Sequence, residues 1–158
     1  MGIVGSWNCF SVNTPCQVAL ASCFDTADTP FQGESSYYSW LNKEYARKRG
    51  KLHSALLGAG LKPLLCEGTF FIMADVSSVN VPEKWREQYK DDGHDWAFAC
   101  WLTEEIGVGC IPASPFYCDA TKHLARNLAR FSFAHDDSVI ETAAGKLLKV
   151  REYLKTSE

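Results

Sequence analysis

The sequence predicts an α/β domain in which helices cover a small mixed sheet. Three observations carry that expectation. Residues 36–59 place Leu41, Tyr45, Lys48, Leu52, Ala55, Leu56 and Ala59 at steps of three and four, the helical period. Residues 69–76 and 128–134 are β-rich, and the second run alternates with a period of two. The order along the chain is helix, long helix, strand, strand, helix, strand, strand, helix. The 158 residues are 46% apolar and 22% charged, which suits one globular domain able to bury a core and excludes a disordered chain.

Residues 1–13 are mixed and glycine-containing, and read as an irregular entry segment. Thr14 and Pro15 suit an N-cap and a first helical position, opening a helix to about Phe24. The run DTADTPFQGESS reads as a surface loop. The long helix then ends at Gly58 or Gly60, with Pro63 beyond. Residues 64–66 read as a short strand, Gly68 as a turn and residues 69–76 as a buried strand. A polar loop follows, with a helical turn over 84–89. Asp95 suits the cap of a helix whose apolar face is Phe98, Trp101, Leu102 and Ile106, with Gly107 just past its end. Residues 108–111 read as a strand stopped by Pro112, and residues 125–134 as another after a loop. Ser138 and Glu141 match a capping box, and Ile140, Ala143, Ala144, Leu147, Leu148, Arg151 and Leu154 form the last helical stripe.

Charge and composition exclude several functions. The net charge of −3 argues against duplex nucleic acid, whose partners carry a basic field. No apolar run approaches the roughly 18 residues of a membrane span, and the N-terminus has no secretory pattern. The seven cysteines (Cys9, Cys16, Cys23, Cys66, Cys100, Cys110 and Cys118) are odd in number and contain no CxxC. They read as reduced thiols of an intracellular protein, and neither they nor the four histidines have zinc-ligand spacing. A cytoplasmic location is expected, with a mitochondrial one left open. The cluster Arg47-Lys48-Arg49 reads as a solvated helix face, and Asp119 with His123 as a surface pair.

One residue breaks its local pattern. Ala129, Phe131 and Phe133 share the apolar face of their strand, so Arg130 stands mid-strand on the other face. A guanidinium is a planar fork that grips a carboxylate through two parallel hydrogen bonds. Arg130 is therefore a candidate carboxylate anchor. The strand alone also allows an arginine that reaches solvent or pairs with an internal Asp or Glu.

The order of motifs resembles a known family. TPCQVALA, YARKRGKL, AGLKPLLCEGTFFIMADVS, DWAFACWLTEEIGVGCIPASPFY and LARFSFAHDDSVIETAAGKLLKV follow one another over nearly the whole chain. Together they are similar to the C-terminal third to half of fold-type I, pyridoxal-phosphate-dependent aminotransferases. The nearest likeness is to the branch of kynurenine–oxoglutarate transaminase, glutamine transaminase K and cysteine-S-conjugate β-lyase. The resemblance implies a small C-terminal domain over residues 36–158, preceded in 1–35 by a remnant of the large domain and interface, with residues 36–59 as the interdomain helix. It implies that Arg130 binds the α-carboxylate of an amino acid or 2-oxo acid. It implies that Phe10, beside Ser11, reaches into the substrate pocket of a partner subunit in a homodimer. It implies pyridoxal 5'-phosphate as cofactor of the complete enzyme. The family's Schiff-base lysine lies in a Ser-x-x-Lys segment followed by Gly-Trp, and neither occurs here. The expectation is thus a truncated or split transaminase that binds no cofactor and is inactive alone. The alternative is a non-catalytic interaction domain that keeps the fold.

Overall fold

The computed structural model describes residues 13–155. Two compact units lie along the chain, one up to Glu44 and one from Tyr45 onward. The boundary falls inside a helix.

In the first unit, α1 spans Thr14–Ala27. Its cap is Asn13 and not Thr14: Asn13 Oδ1 accepts from the Cys16 amide at 3.1 Å, while Thr14 is already helical. The helix outlasts Phe24 because Thr26 Oγ1 donates to the Ser22 carbonyl and the Asp28 amide reaches Phe24 O. No residue of α1 is buried, and Val18, Leu20 and Phe24 stand exposed. Gln32 and Gly33 turn the chain with positive φ of 47° and 82°. Phe31 then packs edge-on against Tyr37 and Trp40, and Lys43 pairs with Glu34 at 2.7 Å.

The long helix α2 spans Tyr37–Gly58, and it buries Leu52 and Leu56 in the second unit. It stops at Gly60, whose φ of 82° favours glycine; an added β-carbon would also meet the Leu154 side chain. The basic cluster of α2 is more than a solvated face. Arg47 and Lys51 both bind Asp137, at 2.7 and 2.8 Å, and Arg49 donates to the Cys66 carbonyl at 2.7 Å.

Four strands follow: β1 (Lys62–Pro63), β2 (Phe71–Asp75), β3 (Ile111–Pro112) and β4 (Leu128–Ser132). Their order is β1-β2-β4-β3. The helix-covered sheet of an α/β domain is as expected, but every pairing is antiparallel where a mixed sheet was expected. The β1–β2 and β3–β4 connections carry no covering helix, and a parallel pair needs a crossover, so each turns back on itself. The strands are also shorter than the apolar runs. Leu64 still donates to Met73 O, but Leu65 is exposed, and Lys122–Ala125 forms a 3-10 turn ahead of β4.

Among the described residues, one sheet face is half-exposed and the other is buried. Ile72, Ala74, Ala129, Phe131 and Phe133 are buried there, against a core that includes Phe98, Trp101, Leu56, Leu147 and Val150. Helices α3 (Glu83–Gln88) and α4 (His94–Trp101) supply part of this cover. A π-helical turn, Leu102–Ile106, extends α4 and ends at Gly107, as expected, with φ 78°. Asp95 is not the cap. Gly93 holds that place, and Asp95 lies inside the first turn, fully buried, where Oδ2 accepts from the Ser114 amide at 2.8 Å.

The last helix, α5 (Asp137–Leu147), continues as a 3-10 segment over Leu148–Tyr153. The expected capping box does not form: Asp136 is the N-cap, and Glu141 instead binds Lys51 at 2.8 Å. Hydrogen bonds from Arg47 and Lys51 hold the Asp137 carboxyl well below the usual carboxylate range. A depressed folded-state pKa contributes stability that is complete above the unfolded value of 3.8 and is lost as pH falls through the folded value. Below that unfolded value, Asp137→Asn is therefore expected to lose less stability with falling pH than the parent protein, in urea melts taken as a pH series. Identical acid limbs would contradict this.

Candidate functional site

Arg130 occupies the centre of β4, one of the two inner strands, with Met73 of β2 on one side and Ile111 of β3 on the other. β4 is thus paired along both of its edges at this position, and the side chain rises from the less covered face. Phe71, Met73, Asp75, Leu128 and Ser132 on that face are half-buried, in contrast to the buried residues between them. The alternation that isolated Arg130 in the sequence is therefore the alternation of the sheet.

Two aromatic rings clamp the guanidinium. Its carbon lies 4.2 Å from the centre of the Phe71 ring and 4.4 Å from that of Phe116. Each such contact supplies about 0.5–1 kcal/mol at an exposed site and restricts the plane of the fork. Phe71 belongs to β2, opposite Ser132. Phe116 ends the 3-10 turn Ser114–Phe116, which the buried Asp95 carboxylate pins through the Ser114 amide. The Arg130 Nε is buried without a partner, and no carboxylate among the described residues pairs with the guanidinium. Of the roles the strand left open, an internal ion pair is thus not formed. The group is a positioned cation with its hydrogen-bonding fork unused, which is what a carboxylate ligand requires.

Phe71 and Phe116 were not singled out in the sequence. Alternation along 71–75 could have placed Phe71 beside Arg130, but the run looked buried on both faces. Phe116 lies in a loop without periodicity. Phe10 falls outside the described residues. Asp119 and His123 form no hydrogen bond with each other, and His123 is exposed.

Residues 4–147 match the profile of the family "Aminotransferase class I and II". The chain belongs to this family. It is 36% identical over 151 residues to the kynurenine–oxoglutarate transaminase of Dictyostelium discoideum, covering 90% of this chain and 33% of that protein. The crystal structure of Bna3p from Saccharomyces cerevisiae superposes with a TM-score of 0.69 at 33% identity, over 75% of this chain and 28% of that one. The methionine aminotransferase YbdL of Escherichia coli gives 0.68 at 34% identity, over 91% and 32%. The chain thus spans about a third of the length of the relatives it matches.

The family works through pyridoxal 5'-phosphate. Around Arg130, however, the described side chains include Phe71, Phe116, Met73 and Ile111, none of which offers an amine for a Schiff base, and the nearest same-face carboxylate, Asp75, accepts from the Ser77 amide. These residues do not fit the cofactor, and the group among them with the chemistry to hold a carboxylate is the clamped guanidinium of Arg130.

Two thiols near this region contrast in reactivity. Burial pushes the Cys110 thiol up to about 12. Cys118 is exposed, and hydrogen bonding from the Thr121 hydroxyl holds its thiol below the usual range. The thiolate is the nucleophile, so iodoacetamide is expected to modify Cys118 first and Cys110 last among the described cysteines. Time-resolved peptide mapping checks the order, and early labelling of Cys110 in folded protein would contradict it.

Proposed function

We propose that this chain is the C-terminal part of a pyridoxal-phosphate-dependent aminotransferase of the kynurenine–oxoglutarate transaminase type. In the complete enzyme an amino acid is converted to its 2-oxo acid and the amino group passes to a second oxo acid. Arg130 is the α-carboxylate anchor. The observation that carries the reading is its clamped, unpaired guanidinium on the less covered sheet face. Holding the carboxylate at two points fixes the orientation of Cα, so that a base elsewhere in the enzyme meets the proton in a reactive geometry.

Residues 36–158 form the small domain in this reading, and residues 1–35 belong with the large domain and the dimer interface. The exposed Val18, Leu20 and Phe24 of α1 favour such a contact. Phe10 extends into the partner's pocket as an aromatic wall, and the complete enzyme is a cytoplasmic homodimer. The groups that hold the cofactor lie outside this chain. The chain alone is accordingly expected to show no transamination with added pyridoxal phosphate. Stoichiometric borohydride-reducible attachment of the cofactor, with turnover of an amino acid, would overturn that assignment.

A further inference from the structure

A second feature lies away from Arg130, where α3, α4 and the 3-10 turn Lys122–Ala125 surround an open groove of about 470 Å³. Arg86, Lys90, His94, His123 and Arg126 line it, with the Asn127 amide, and no carboxylate does. This gathers five basic residues in a chain whose net charge is −3.

Like charges brought together repel, and a surface normally relieves this with interspersed carboxylates. Candidates are close in sequence: Glu83, Glu87, Asp91 and Asp92. None of them lines the groove, and Arg86, Lys90 and Arg126 pair with no carboxylate among the described residues. Asp95 is buried beneath the groove and does not line it: its Oδ2 accepts from the Ser114 amide, and its Oδ1 lies against Gly93 beside the Arg126 stem.

The groove is built as well as charged. Gly93 has a φ of 126°, and a β-carbon there would stand 3.0 Å from Asp95 Oδ1 and 3.2 Å from Arg126 Cγ, so the arginine stem and the buried carboxylate pack where a side chain would otherwise be. The Arg126 carbonyl accepts from the Asp95 amide at 2.8 Å, which ties its backbone to the start of α4. His94 is held through Nε2 against the Val76 carbonyl at 3.1 Å. Burial lowers its pKa; the Val76 hydrogen bond and Asp95 oppose this, and the charges of Lys155 and Arg86 add to it.

We propose that this groove binds a small multivalent oxyanion, a polyphosphate or a polycarboxylate, gripped by Arg86, Lys90 and Arg126. Guanidinium forks suit both head groups, and a volume of this order suits a small ligand. The overall negative charge of the chain disfavours a long polyanion.

Calorimetric titration of the full chain with pyrophosphate, and separately with citrate, at fixed ionic strength tests the site. Saturable one-site binding is expected for at least one of them, and the tighter of the two names the head group. Arg86→Gln and Arg126→Gln should each weaken it by about tenfold, the scale of one lost charge-assisted contact. Lys90→Gln serves as a further variant should circular dichroism show either to be misfolded. Arg151→Gln, exposed on the last 3-10 segment, should bind as the parent does. Absence of saturable binding by both anions, or equal affinity in all variants, would overturn the proposal.

Discussion

Arg130→Ala is expected to weaken transition-state binding in the complete aminotransferase by about 3 kcal/mol, a loss of more than a hundredfold in kcat/KM. The figure is what a charge-assisted two-point contact supplies when its alternative is a carboxylate held without a partner. The same change should cost the isolated chain little stability. Arg130 makes no ion pair among the described residues, and what it loses is contact with two rings, of which Phe116 is 60% exposed. The two readouts separate the anchor from a structural role. A large fall in the melting midpoint of Arg130→Ala would sink the anchor reading, because it would mean the guanidinium holds the fold together.

The clamp adds a second comparison to the same experiment. Lys at position 130 keeps the charge but loses the planar fork, so rescue should be partial. Phe71→Leu keeps the strand apolar but removes one face of the clamp, leaving the fork free to tilt. Its effect should therefore be smaller than that of Arg130→Ala and should leave the melting midpoint nearly unchanged, since Phe71 lies on the less covered face.

How far the sequence revealed this arrangement depended on whether the cause was local. The ends of α2 lie within a residue of expectation because a long apolar stripe and a glycine stop are local signals. Arg130 was legible because strand alternation is local too. Phe116 was not. Its place is set by the turn that Asp95 pins from nineteen residues away, and Asp95 itself resembled a helix cap. Ser138 and Glu141 have the spacing of a capping box, but Glu141 meets Lys51 across the fold, and that tertiary contact prevails over the local one. The strand directions were hidden for the same reason: nothing in an apolar run says which neighbour it will pair with.

Trp101→Ala should be the most destabilising single change in the folded chain, at about 3–5 kcal/mol, because it removes a large buried side chain whose space the core cannot refill. Trp101 is fully buried at the end of α4, with its ring 4.8 Å from that of Tyr153 and 5.8 Å from that of Phe98. It therefore joins the C-terminal 3-10 segment to the helical cover of the sheet. Stability of a domain is of order 5–15 kcal/mol, so the loss should be a large part of the total. Trp101→Phe tests the cause. The indole Nε1 is buried without a hydrogen-bond partner, a condition that itself costs about 1–3 kcal/mol. Phenylalanine sacrifices some packing but removes that orphaned donor, so the two effects oppose each other. Urea melts should show Trp101→Phe far milder than Trp101→Ala. Equal losses in the two variants would mean that the indole nitrogen has a partner in solution, and that a hydrogen bond there, and not packing alone, secures this side of the core.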